Sequence, residues 1–369
     1  MSKVGILSMQ RIKNYGSFLQ AYALKTMLEK LGHEVEFVDY HVEEPIIKTE
    51  DNVKNDKMSK AIKALKGEEP LIQKIKYILH KKNFGKGYYK ILNLTAESNY
   101  TPKLDTLVIG SDEVFNCIQE NKNVGYSLEL FGKNNNANKV VTYAASFGNT
   151  TLEKLKKFGK EKEIGNLISK FDAISVRDNN SGKIVEKLTN KKVIYNLDPV
   201  LAYDYIGECT LIPEIKIKEK YMIVYAYSGR ISAEESDYIK EYAKKNNLKV
   251  YSIGGAQKCA DKFIDCSPFE VLSYFKNAEL IVTDTFHGSI FSIITHSNFV
   301  TLVRKSVGNA YGNEEKLTDL LERLSLKNRI IFEIEKAEFK LKEKIDYKKI
   351  DNIINKGRKE SLEYLRKEV

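Results

Sequence analysis

A chain of 369 residues, 42% apolar and 30% charged with 21 Gly and only 6 Pro, has room for two domains of about 100 to 200 residues. The composition excludes the disordered, collagen-like and disulfide-stapled classes. The 60 basic and 50 acidic residues leave a formal charge of +10, which suits nucleic acid, an anionic membrane surface or a phosphorylated substrate without choosing among them.

Residues 4–7 are a short apolar run, residues 17–31 carry apolar side chains at helical spacing, Gly32 stops them, and residues 34–38 alternate like a strand. That is a β-loop-α-β unit. The stretch near 45–95 is rich in Lys, with Ile72, Ile75 and Ile78 separated by charges; it reads as an insertion of amphipathic helices and solvated loops, outside the sheet. Strand patterns recur at 106–109, 140–143, 173–176 and 193–195, with helical patterns between several of them. After Asp198-Pro199 the periodicity weakens up to Pro213 and the Lys/Glu cluster that ends at Lys220. The rhythm then restarts: strands at 221–225, 249–253, 280–283 and 299–303, and helices at 233–245, 268–277, 289–296 and 314–324. Residues 347–365 read as one helix that packs on a domain surface.

Strands alternating with helices predict an α/β protein with mostly parallel sheets. The expected organisation is two Rossmann-like, doubly wound domains facing a cleft. The first spans 1–210 and contains the insertion, the second spans 211–335, and 336–369 form a C-terminal helical segment. Cys117, Cys209, Cys259 and Cys266 form no C-x-x-C pair and lack a histidine at ligand spacing, so they read as reduced, structural thiols. The first residues lack the apolar core of a signal peptide, and no run of about 18 apolar residues exists. A cytoplasmic protein is expected.

Ligands of open α/β sheets bind at the carboxyl ends of strands, which singles out five loops. Asn14-Tyr15-Gly16-Ser17 follows the first strand and opens a helix, either as an anion site or as a plain turn with Ser17 as its cap. Gly110-Ser111-Asp112-Glu113 offers close approach and a hydroxyl-binding pair or a cap. The small residues around Ser146 could admit a ligand or merely close a turn. Arg177 ends a strand just before a helix, placed to hold phosphate or carboxylate through its planar fork, or else to pair with Asp178. In Thr283-Asp284-Thr285-Phe286-His287-Gly288-Ser289, His287 sits at a strand end and a helix start, where it can act as acid or base beside a bound anion. His33, His41, His80 and His296 lack that setting and read as structural.

Neither G-x-G-x-x-G nor a Walker A loop nor a G-x-S-x-G elbow is present. Gly254-Gly255 is either a phosphate cradle or a turn. No basic motif with interleaved aromatics singles out nucleic acid, and no ligand spacing argues for a metal.

The order of the loops is more specific than any one of them. Gly5-Ile6-Leu7, the run from Asn14-Tyr15-Gly16-Ser17 through Leu24, Val108-Ile109-Gly110-Ser111-Asp112, Ser175-Val176-Arg177, Asp198-Pro199 and Thr283 to Gly288 together resemble the polysaccharide pyruvyl transferase family over about residues 3 to 327. The resemblance implies a fold like that of the GT-B glycosyltransferases. It also implies transfer of the enolpyruvyl group of phosphoenolpyruvate, a co-substrate rather than a cofactor, onto a sugar to form a pyruvate ketal. Arg177 would then hold the donor's phosphate or carboxylate, and His287 would serve as general acid or phosphate ligand. Asp112 would orient or deprotonate the acceptor, and Asn14, Tyr15, Gly16, Ser17, Gly110, Ser111, Ser146, Thr285, Gly288 and Ser289 would shape the site. Many members carry Arg-Leu-His where this chain has Thr285-Phe286-His287, so Arg304 or Arg11 is the expected substitute cation. Glu113-Val114-Phe115 stands where Gln-Val-Trp is common, which bears on the acceptor. That acceptor would be a sugar or a lipid-linked saccharide, in which case the Lys-rich insertion would touch the membrane surface. The alternative within this fold is a glycosyltransferase using a nucleotide-sugar, with Gly254-Gly255 and residues 283–289 at the diphosphate.

Overall fold

The computed structural model describes residues 1–48, 68–305 and 312–369. Its first sheet consists of β1 (Lys3–Leu7), β2 (Glu34–Val38), β3 (Lys103–Asp112), β4 (Asn136–Ala145), β5 (Ser175–Val176) and β6 (Ile194–Tyr195), in the order β2-β1-β3-β4-β5-β6. The second consists of β7 (Tyr221–Tyr225), β8 (Lys249–Ile253), β9 (Lys262–Phe263), β10 (Leu280–Thr283), β11 (Phe299–Leu302) and β12 (Ile330–Ile331), in the order β12-β11-β10-β7-β8-β9. Every pairing between these strands is parallel. All five side chains of β7 are buried, as parallel strands covered by helices on both faces require. The chain is therefore an α/β protein of two doubly wound halves.

The expected elements are present, with shifts at their ends that have local causes. β3 and β4 run beyond their apolar cores because each extends the other's ladder, Lys103 opposite Asn136 and Asp112 opposite Ala145. The two-residue strands β9 and β12 have no periodicity to read. The helix expected from residue 289 starts at Phe286, since the Thr285 hydroxyl accepts from the Gly288 N–H at 2.9 Å and caps it. Ser17 is not the cap of the first helix, Tyr15–Lys30. Asn14 is, its side chain accepting from the Ser17 N–H at 2.7 Å, which frees the Ser17 hydroxyl for another partner. Within the insertion, Leu71–Tyr88 form a helix; residues 49–67, part of the same expectation, lie outside the described residues.

One apolar cluster runs through both halves. Phe269, on the helix Pro268–Asn277 of the second half, meets Phe18 and Tyr22 of the first helix edge-on, with centroids 5.9 and 5.0 Å away. The Tyr15 hydroxyl crosses to the Cys266 carbonyl at 2.9 Å. The last helix, Tyr347–Glu368, does more than cover one surface. Near its start His296 of the second half pairs with Asp351 at 2.9 Å, and near its end the Tyr364 hydroxyl donates to the Thr142 carbonyl of β4 at 2.8 Å.

Strand order reverses between β1 and β3 in one sheet and between β7 and β10 in the other. Such reversals splay the loops at the carboxyl ends of the flanking strands and open a crevice there. Here both crevices face the same cleft.

Candidate functional site

The cleft has a volume of about 950 Å³ and draws its walls from both halves. From the first come the loop after β1, Asp112 at the end of β3 with Glu113 after it, and Arg177 after β5; from the second come Arg230 after β7, Thr285 to His287 after β10, and Lys316.

Arg177 is the hub of the first wall. Its side chain is 3% exposed, with one nitrogen 2.7 Å from Asp198 and another 3.3 Å from Asp112. The guanidinium lies 4.3 Å from the centroid of Phe286, a contact from the second half. Burial works against its charge, but Asp198 and Asp112 hold it above its usual pKa. Asp198 follows β6 and caps the short helix Pro199–Ala202. Burial alone would push its carboxyl up; His287 and Arg177 outweigh that and hold it down at about 2. Asp112 accepts from the freed Ser17 hydroxyl at 2.8 Å, so the first helix, β3 and β5 converge on one carboxylate.

His287 reaches across from the second half. Its Nε2 lies 3.6 Å from Asp198, an ion-pair distance too long for a hydrogen bond, and that nitrogen has no hydrogen-bond partner among the described residues. The ring packs directly over Gly16, where a methyl group would stand 2.2 Å from Nδ1. Any side chain at position 16 would evict the imidazole.

The cations of the second wall are arranged differently. Lys316 spans the cleft to Glu113 at 2.7 Å; burial raises that carboxyl, but Lys316 prevails and brings it to about 2. Arg230 lies over the Tyr227 ring at 4.6 Å and is 3.7 Å from Asp284. Asp284 is completely buried, and neither of its carboxylate oxygens has a hydrogen-bond partner among the described residues. Burial pushes its carboxyl up, and Arg230, Arg304 and Lys316 offset this only in part. On the cleft's rim, burial and the neighbouring Lys13 push Lys81 down to about 8.

The residues expected at the site separate into two groups. Asn14, Gly16, Ser17, Asp112, Arg177, Thr285 and His287 meet on the cleft, as does Arg11, which is paired with Asp39. The rest lie behind it. Ser111 is buried beneath, donating to the Ala144 carbonyl at 3.1 Å with Asp198 at 3.5 Å. Gly110 packs against the Tyr143 carbonyl, and Tyr15 is buried between the halves. Ser146 donates to Asp178 at 2.6 Å; the Arg177–Asp178 pair weighed from sequence does not form, because Asp178 caps the next helix. Gly288 and Ser289 are buried in the helix, Ser289 bonded to Thr301 at 2.9 Å. Arg304 turns away from the cleft and grips Glu235 through two nitrogens at 2.6 and 2.7 Å. Gly254 and Gly255 form a turn packed on Ser228. His33, His41, His80 and His296 pair with Ser2, Glu129, Asp265 and Asp351, away from the cleft lining. All four cysteines are free and buried. Among the described residues, no group of three or more His, Cys, Asp or Glu side chains could hold a metal ion.

Sequence reasoning named Asp198, Glu113 and Asp284 within its motifs without giving them a role in the site, and it did not reach Arg230 or Lys316. Glu113 directly follows β3, and Asp198 lies three residues past β6. Arg230 and Lys316 belong to no motif, and only folding brings them to the cleft.

The family model for polysaccharide pyruvyl transferases matches residues 14–306. No curated protein sequence matches the chain. Among solved structures, the S. aureus MnaA–UDP co-structure is similar over 96% of this chain and 91% of its own, at 10% identity and a TM-score of 0.48. The UDP-GlcNAc 2-epimerase from Methanocaldococcus jannaschii is similar over 94% and 93%, at 12% identity and a TM-score of 0.47. A Thermobaculum terrenum O-GlcNAc transferase mutant is similar over 99% of this chain at 10% identity and a TM-score of 0.38, and the chain spans 64% of that protein's length.

Proposed function

The chain belongs to the polysaccharide pyruvyl transferase family, and from that premise we propose that it moves the enolpyruvyl group of phosphoenolpyruvate onto two hydroxyls of a sugar. The product is a pyruvate ketal in cell-surface polysaccharide synthesis, with release of phosphate. The observation that carries this reading is the meeting of Arg177 and His287, from the two halves, on one cleft, with the buried Asp198 carboxylate between them.

The buried Nε2 of His287 lies 3.6 Å from the Asp198 carboxylate, which orients the ring, and in this reading the imidazole is the acid that supplies a proton. In the proposed reaction that proton goes to the methylene carbon of the donor. The adjacent carbon becomes oxocarbenium-like and is attacked by the first hydroxyl, whose proton leaves to Asp112. Loss of phosphate regenerates an electrophilic centre, the second hydroxyl attacks it, and its proton leaves with the phosphate. Arg177, fixed in plane by its two carboxylates, holds the donor's carboxylate or phosphate at the first wall. Arg230 and Lys316 supply positive charge at the second, where leaving phosphate needs it. They occupy the role for which Arg304 and Arg11 were the expected substitutes.

The test is a thermal-shift titration of the wild type, His287→Ala and Arg177→Ala with phosphoenolpyruvate, UDP and GDP, since ligands of the native state raise its melting temperature. Phosphoenolpyruvate is expected to stabilise the wild type and neither variant. His287→Gln serves as a second variant that keeps the packing over Gly16; it should fold normally and release no phosphate from phosphoenolpyruvate with any acceptor. A response to nucleotide alone would overturn the donor assignment in favour of glycosyl transfer.

A further inference from the structure

The helix Leu71–Tyr88 is built the wrong way round for a helix that merely covers a core. The face it turns to the protein carries Gln73, which donates to the Ala260 carbonyl at 2.7 Å, and His80, paired with Asp265 at 2.6 Å. Buried Phe84 completes that face. Its aliphatic side chains point outward instead: Leu71, Ile72, Ile75, Ile78 and Leu79 are 57, 70, 47, 45 and 49% exposed. Spaced by threes and fours, they form one stripe.

Exposed Lys76, Lys82, Lys86 and Lys90 accompany the stripe, and no Asp or Glu occurs from residue 70 to residue 96. We propose that this face is an interfacial membrane-binding surface, and that its partner is an anionic phospholipid bilayer. A large exposed apolar patch marks a contact surface, and the chemistry of this one selects the partner. Branched aliphatic side chains insert among acyl chains, whereas single-stranded nucleic acid is held by aromatic stacking. A second copy of the chain would bring one acid-free lysine row against another, and like charges would repel. Anionic headgroups meet the lysines at the level where the aliphatic groups enter. The helix lies in the interface rather than crossing it; among the described residues no helix is long and apolar enough to span a membrane. The same helix contributes Lys81 to the cleft lining, so the mouth of the cleft lies beside the bound surface. The proposal stands on this surface alone and does not depend on the donor.

The experiment is flotation of the full chain with vesicles of phosphatidylglycerol or of phosphatidylcholine, at low and high salt. The wild type is expected to float with phosphatidylglycerol only, and less at high salt. The double variants Ile72→Ser/Ile75→Ser and Lys76→Glu/Lys82→Glu should each lower binding by about tenfold or more. Because all four side chains are exposed, melting temperatures should match the wild type. Failure to bind phosphatidylglycerol at low salt, or binding unchanged in both variants, would overturn the proposal. So would binding that appears only after residues 49–67 are deleted, or a dimer that Ile72→Ser/Ile75→Ser dissociates, since chain rather than lipid would then cover the face.

Discussion

The two walls of the cleft solve the problem of buried charge in opposite ways. On the first, Arg177, Asp112, Asp198 and Ser17 satisfy one another at 2.7 to 3.3 Å, a closed network whose geometry exists before any ligand arrives. On the second, the buried Asp284 carboxylate has no hydrogen-bond partner among the described residues, and Arg230 stands 3.7 Å away, over Tyr227. A satisfied network rigidifies, and an unsatisfied buried carboxylate is a cost that the fold carries. The first wall is thus preorganised. The second keeps positive charge close to the cleft by setting it against a carboxylate that it does not fully engage.

The sharpest way to break this comparison is Arg177→Ala. It removes the cation that Asp112 and Asp198 share, leaving Asp198 with His287 alone, and should lower unfolding stability by about 3–5 kcal/mol in urea denaturation. A loss under about 1 kcal/mol would mean that the network holds nothing together.

Lys316→Ala probes the link between the walls and should cost about 2 kcal/mol, between the values for exposed and fully buried pairs. The effect has a defined pH window, because Glu113 is depressed to about 2 in the folded state. Its contribution is fully present above the unfolded value near 4.3 and disappears as pH falls from there through about 2. Stability curves of the two proteins should therefore converge in acid. Parallel curves would assign the loss to packing instead.

The smallest expected effect has the opposite sign. Asp284→Asn removes a buried charge that the nearby cations offset only in part, and should leave stability unchanged or raise it by about 0–1 kcal/mol at neutral pH. The folded carboxyl is raised, so the wild type carries no penalty below the unfolded value near 3.9 and gains the full penalty as pH rises through the folded value. The variant should lack that slope. A loss of more than about 1 kcal/mol would show that Asp284 and Arg230 form a working pair and that the two walls are alike.

Legibility in the sequence followed the range of the interactions. The run Tyr221–Tyr225, buried along its whole length, announces a parallel strand because every side chain needs an apolar neighbour. The His287 loop was equally readable, since Thr285, Gly288 and the apolar residues after them dictate a capped helix start at a strand end. Arg304 misled for the same reason: it follows β11 as Arg177 follows β5, but Glu235 on a neighbouring helix claims it. The insertion was legible as an amphipathic helix and illegible in orientation. Periodicity gives the stripe and cannot say which side of it meets the protein.

What the sequence determined by itself is the α/β rhythm, the two halves and the strand ends that carry chemistry, because alternation, capping and glycine geometry act within a few residues. What only the tertiary structure decided is which charges meet. Lys316 and Glu113 are 203 positions apart, and Tyr15 and Cys266 are 251 apart. Such pairs follow from the order of strands in two sheets and from the angle at which one half packs on the other, and no local pattern encodes either.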